Sequence, residues 1–121
     1  MTELKLQAAC YKEFNHTFQN HRKHLYRIKN ELDNHPRKSQ KDRILQLAEN
    51  KATGIQRGIA DFVLIDNFGQ SHWIELKIEN GTQSIEQQYF EKIVKNYKIV
   101  KSISEFIKHC ESILIANEVL K

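Results

Sequence analysis

Proline occurs once in the 121 residues, tryptophan once, cysteine twice and glycine four times. With so little Pro and Gly, no linker, repeat or low-complexity segment divides the chain. Residues 1–121 therefore read as a single domain, long enough to bury a core without covalent staples. Cys10 and Cys110 form no CxxC and no ordered Cys/His spacing. That excludes a disulfide framework and a zinc knuckle, and buried free thiols are the expectation. The histidines at 16, 21, 24, 35, 72 and 109 contain no HExxH pair and are expected mostly to scatter over the surface. No apolar run reaches the length of a membrane span, and the opening MTELKLQ lacks the apolar core of a signal peptide. A cytoplasmic protein with no membrane partner is the expectation.

The chain is 40% hydrophobic and 28% charged, with a formal net charge of +4. The excess is uneven: residues 1–43 hold ten Lys/Arg against five Asp/Glu, and residues 44–121 hold nine against ten. Arg22, Lys23, Arg27, Lys29, Arg37, Lys38, Lys41 and Arg43 carry most of it. A basic region on a small domain suits a polyanion such as nucleic acid, although the same charges also make an ordinary solvated face.

Thr2 is placed to cap a helix in which Leu4, Ala8, Tyr11, Phe14 and Phe18 recur at helical spacing, with Glu3, Gln7 and Cys10 on a neighbouring stripe. LYRIKNE (25–31) alternates as a strand does and runs into the polar LDNHPRKS. A helix over 39–51 follows, with Ile44, Leu45, Leu47 and Ala48 inward and Gly54 as its stop. Ser84 with Gln87 has capping-box spacing for a helix reaching about Asn96, and Ser102 with Glu105 has it for the last helix. That helix carries Phe106, Ile107, Cys110, Ile113, Leu114 and Leu120. YKIVK (97–101) lies between the two as a strand. A helix between the strands at 71–78 and 97–101 implies a parallel crossover and hence a mixed α/β sheet.

DFVLID and SHWIELKI flank NFG, which predicts a hairpin with Asn67 to Gly69 as its loop and Gly69 in the left-handed position. Pairing Asp66 with Gln70 then counts back to set Asp61 opposite Glu75. Along SHWIELKI, Ile74, Leu76 and Ile78 face a core, whereas Trp73, Glu75 and Lys77 share the other, wet face. Opposed acids have β-carbons roughly 4.5 to 5.5 Å apart and destabilise the sheet unless something offsets them. Mg²⁺ does so with hard oxygen ligands, and Lys77 stands two residues beyond Glu75 to reach a nearby water or phosphate oxygen. A metal plus a lysine suits phosphodiester hydrolysis.

RGIAD followed by IELK, with TELKLQ, KNE, GIQRGIADFVLI, HWIELK, GTQSIEQQ and YKIVKS in that order, resembles the virus-type replication-repair nuclease (VRR-NUC) domain of the PD-(D/E)XK nuclease superfamily. Ala60 stands where that motif usually has proline, a change that affects backbone shape rather than chemistry. The resemblance implies a restriction-endonuclease-like core, a mixed β-sheet with a central hairpin flanked by helices. It further implies Mg²⁺-dependent (or Mn²⁺-dependent) endonuclease cleavage of branched or double-stranded DNA, including four-way (Holliday) junctions. A homodimer, of phage or mobile-element origin and acting in a bacterial or phage-infected cell, is the corresponding expectation.

By the same resemblance Asp61, Glu75 and the Leu76 carbonyl hold the metal, Lys77 is the catalytic lysine, and Glu3 helps order water. Gln87 lies near the site and Gln7 is a weaker counterpart from the first helix. Asn30 and Glu31 match the polar pair after the first strand. Arg27, Lys29, Asn30, Arg37, Lys38, Arg57 and Gly58 are the expected nucleic-acid contacts. Plainer roles stay open: Gln87 as a helix cap, Glu3 as a helix-dipole partner, Asn30 and Glu31 as a strand end, and Gly58 as a turn. So do a non-catalytic nucleic-acid-binding protein on this scaffold, a nuclease directed at RNA, and a plain structural domain.

Overall fold

The computed structural model describes residues 1–28, 40–42, 44, 45, 48, 54 and 58–120, with side chains in the last helix described as far as residue 115. Thr2 accepts a hydrogen bond from the Lys5 amide at 3.1 Å and opens helix α1, Glu3–Thr17. A short 3₁₀ segment, Gln19–His24, leads into strand β1, Leu25–Arg27. Strands β2 (Phe62–Ile65) and β3 (Ser71–Leu76) form the hairpin. Helix α2 (Ile85–Ile93), strand β4 (Tyr97–Val100) and helix α3 (Ile103–Leu120) complete the chain.

These strands make one open mixed sheet in the order β1-β2-β3-β4, with β3 and β4 parallel across the α2 crossover and the other neighbours antiparallel. The hairpin has the expected register. Phe62 pairs with Ile74 and Ile65 with Ser71, the Asp66 amide donates to the Gln70 carbonyl at 2.9 Å, and Gly69 has φ +85°. Glycine is suited to that conformation because it has no Cβ to clash there. Leu64, Ile74 and Leu76 on one sheet face pack with Phe14 of α1 and Phe106 of α3 in the core. The Phe14 ring meets Phe106 edge-on at 6.4 Å, and Phe106 meets Phe62 at 5.6 Å.

Several elements differ from the sequence expectation. The buried stripe of α1 is Leu6, Cys10 and Phe14, continued by Phe18, whereas Leu4, Ala8 and Tyr11 border an open cavity. Apolar residues cover a wide arc of this helix, and the α3 contact through Phe14 selects the stripe centred on Cys10. Helix α2 stops at Ile93, three residues early, because Val94 is extended and Asn96 turns through φ 58°. Ile78 falls beyond the last paired residue of β3 and is exposed.

The histidines are not merely scattered: His24 Nδ1 donates to the Ile65 carbonyl at 2.6 Å, and His72 Nε2 donates to Asp66 at 2.9 Å. Both cysteines are free and buried. Of the helix expected over 39–51, residues 40–42, 44, 45 and 48 are helical and the others lie outside the described residues, but Ile44, Leu45 and Ala48, expected to face inward, are exposed. Among the described residues, no helix is long and apolar enough to cross a membrane.

Candidate functional site

The hairpin positions the first acid. Asp61 lies one residue before β2, and its main-chain carbonyl accepts from the Ile28 amide at 2.9 Å, extending the β1 pairing. Its carboxylate turns the other way and accepts from the Leu76 amide at 2.7 Å. The side chain thus takes the place of a ladder acceptor at the end of β3, which fixes it beside Glu75.

Glu75 is the fully buried member of the pair. The expected wet face is not wet here: Glu75 is 1% exposed and Lys77 7%. The reason is α2, which lies over that face through Phe90. The Phe90 ring meets Trp73 edge-on at 5.1 Å and Tyr97 at 6.2 Å. Tyr97 was not anticipated from sequence. Burial and then the charge of Glu75 push its phenol up, which places it on the wall around that acid.

Gln87 performs two of its possible roles with one side chain. Its Oε1 accepts from the Ser84 amide at 2.9 Å while its own amide donates to Ser84 Oγ at 3.2 Å, completing the capping box. Its Nε2 donates to Glu75 Oε1 at 2.8 Å. Gly58 sets the height of this helix end. A Cβ there would lie 2.4 Å from Glu86 Cβ and 2.8 Å from the Gln87 nitrogen, and its φ is +77°. The close approach that calls for glycine is therefore to α2.

Lys77 Nζ stands 3.8 Å from Glu75 Oε1 and 4.0 Å from Glu3 Oε1. Glu3 reaches this point from the first turn of α1, over Gly81, where a Cβ would lie 3.2 Å from its Oε2. Cys10, two turns along α1, borders Asp61 from the core side. Burial and then the Asp61 charge push its thiol up to about 12, so it is an inert neighbour rather than a nucleophile.

Electrostatically the cluster is frustrated. Burial first, then the Asp61 charge, holds Glu75 up to about 9, and burial also raises Asp61 despite the Leu76 amide. The two carboxyls lie beside one another, and Glu75 Oε2 is buried with no hydrogen-bond partner. As carboxylates neither oxygen can donate, so a shared proton or a cation must lie between them.

Glu3, Asp61, Glu75, Lys77 and Gln87 thus converge as expected, drawn from α1, the hairpin and α2. Compared with protein-family models, curated proteins and solved structures, the chain matches none. The function must therefore be argued from this cluster itself.

Among the described residues no three Asp, Glu, His or Cys side chains converge to cage an ion. Two carboxylates and an orphaned oxygen instead fit Mg²⁺, which usually takes one or two protein carboxylates and fills its other positions with water and phosphate. Of the expected nucleic-acid contacts, Arg27 is exposed at the end of β1 and Gly58 is described above. Lys29, Asn30, Glu31, Arg37, Lys38 and Arg57 lie outside the described residues. Gln7 is half-buried one turn after Glu3. One structural acid went unanticipated, Asp66, although an Asp opening a D-N-F-G loop is a signal for a side-chain turn.

Proposed function

We propose that the protein is a Mg²⁺-dependent DNA endonuclease built on a restriction-endonuclease-like core of the VRR-NUC kind. The observation that carries this reading is Glu75 Oε2, buried without a hydrogen-bond partner next to the Asp61 carboxyl and beside the Lys77–Glu75 ion pair. A purely structural acid pair would be expected to acquire donors, since a buried unpaired carboxylate oxygen costs stability.

In this mechanism Asp61 and Glu75 would hold the metal, together with the Leu76 carbonyl that the family resemblance implies. When bound, Mg²⁺ supplies Lewis acidity toward a phosphate oxygen and lowers the pKa of an attacking water. The chain's own side chains do the remaining work. The Leu76 amide fixes the Asp61 carboxylate and Gln87 fixes Glu75, so both acids are oriented before substrate arrives. Lys77, steadied between Glu75 and Glu3, presents a cation to the scissile phosphate and balances charge that develops on it. Glu3, part-exposed at the mouth, orders water there. Arg27 and the basic residues from 22 to 43 hold flanking phosphates, a contact that weakens as salt rises. Symmetric cutting of two strands or of a junction requires a homodimer, because one domain carries one such site.

One observation favours the non-catalytic alternative. Glu75 is almost wholly covered and carries a proton at neutral pH, as an inert relic of such a site could. The deciding experiment incubates the protein with end-labelled four-way-junction and linear duplex DNA, with Mg²⁺ and with chelator, beside Glu75→Gln. Metal-dependent product that the variant loses is the expected result. DNA binding without product would transfer the reading to the inert scaffold.

A further inference from the structure

A cavity of about 440 Å³ opens between the outer side of α1 and the edge strand β1, lined by Leu4, Gln7, Ala8, Tyr11, Tyr26 and Arg27 among others. Its walls are mostly apolar, with two phenol rings, one carboxamide and one guanidinium set among them. Tyr11 is 45% exposed, Tyr26 50% and Leu4 67%, so large apolar side chains face solvent here rather than the core. Tyr11 lies nearly parallel to the buried Phe62 ring, 9° between planes at 6.4 Å, which holds its own ring in place.

The cavity adjoins the acid cluster. Gln7, which lines it, lies one turn beyond Glu3 on the stripe that runs on to Cys10 beside Asp61, while Phe62, the residue after Asp61, closes its inner wall from the core side of the sheet. A chain whose phosphate rests against Asp61 and Lys77 therefore has this opening within reach of a neighbouring nucleotide.

Resting on the nuclease reading, we propose that this cavity receives one unpaired nucleobase next to the scissile phosphate. Flat aromatic faces with an apolar surround suit the π-face of a base taken out of its stack. A carboxamide, which both donates and accepts, suits its hydrogen-bonding edge. The guanidinium of Arg27 suits the backbone phosphate beside it. A fully paired duplex cannot supply such a base without paying to unstack it, whereas a branch point, bulge or single strand already holds one free. The substrate class that follows is DNA with an unpaired nucleotide at the cleavage point.

The test measures fluorescence anisotropy in chelator, so that no strand is cut, with three labelled probes: a plain duplex, the same duplex with one bulged nucleotide, and that bulge made abasic. The base-containing bulge should bind roughly tenfold more tightly than the abasic one. Tyr11→Ala and Tyr26→Ala should erase that difference and leave plain-duplex affinity unchanged, while Tyr11→Phe and Tyr26→Phe, which keep the ring, should retain it. Equal binding of the base-containing and abasic bulges overturns the inference and leaves the nuclease reading standing. The same result follows if another part of this chain fills the cavity. Alanine variants that weaken all three probes alike also overturn it. Failure to bind any of the three overturns the nuclease reading together with it.

Discussion

Two aspartates bracket strand β2, and their surroundings are opposite. Asp66, at the hairpin loop, is 5% exposed and accepts from the Phe68 amide at 2.8 Å, the Gln70 amide at 2.9 Å and His72 Nε2 at 2.9 Å. Burial alone would push its carboxyl up, but the donors from His72, Gln70 and Phe68 outweigh burial and hold it below its ordinary value. Asp61, at the other end, accepts one amide and confronts a second acid, and it is raised. The same residue type on one short strand is satisfied at one end and frustrated at the other. Asp66 serves the hairpin turn, whereas perturbed acids held as Asp61 and Glu75 are characteristic of functional sites.

The largest effect that would break this contrast is on cleavage. Glu75→Gln removes an acid whose Oε2 no group of the chain satisfies, and metal-dependent cleavage should fall by about 10³-fold in a gel assay, with thermal stability equal or higher. Asp66→Ala should do the reverse. It leaves activity per folded molecule within about twofold and costs roughly 2–3 kcal/mol of unfolding free energy, because three donors lose a charged acceptor. Equal losses of activity from both variants would end the distinction.

Proton linkage sharpens it. Glu75 is raised from 4.5 to about 9 on folding, so its contribution to stability is present at low pH and is lost as pH rises through that window. Without metal, the melting temperature should decline from about pH 5 toward pH 9. Mg²⁺ binding displaces that proton, so metal affinity should rise about tenfold per pH unit between pH 7 and 9, measured by calorimetry. Asp66, lowered from 3.8, acts oppositely: its stabilisation is complete above that value and is lost as pH falls below it. In Glu75→Gln the alkaline decline should disappear while the acid decline remains.

How far this contrast was legible in the sequence follows from the same residues. The Asp61–Glu75 opposition could be read because a three-residue loop with one glycine fixes the register, and a register once fixed places every side chain. The convergence of Glu3 and Gln87 rested on motif order, which carries the long-range geometry that local patterns lack. Burial of Glu75 could not be read, since alternation assigns a residue to a face and says nothing about what covers that face. Here Phe90 draws α2 onto Trp73 and Tyr97. The buried stripe of α1 could be read only in part for a related reason: Phe14 and Phe18 are buried as their spacing implies, but Leu4, Ala8 and Tyr11 continue that spacing toward the N-terminus as regularly as Leu6 and Cys10 do. Only the packing of α3 chooses between them.

Gly58 joins the two halves of the site, and Gly58→Ala places a Cβ within 2.4 Å of Glu86 at a backbone angle that L residues rarely adopt. Helix α2 must shift, which should cost about 2 kcal/mol by denaturant melting. Cleavage should fall tenfold to a hundredfold as Gln87 leaves Glu75, and a variant that melts lower yet cleaves normally would show that the α2 position does not matter to the acids.

The finest distinction is between two residues of one capping box. Ser84→Ala removes the hydroxyl that Gln87's amide uses and should cost about 1 kcal/mol, with the Gln87 to Glu75 hydrogen bond intact. Gln87→Ala removes the reciprocal cap and the donor to Glu75 together. If the cap were the whole role of Gln87, the two variants would match in stability and in Mg²⁺ affinity. If Gln87 also orients a metal-holding acid, Gln87→Ala should cost about 1 kcal/mol more in stability than Ser84→Ala, because Glu75 loses a buried donor, and it alone should lose about tenfold in Mg²⁺ affinity. Because Ser84 does not touch Glu75, the difference between these two titrations isolates the one hydrogen bond that ties the helix cap to the acid pair.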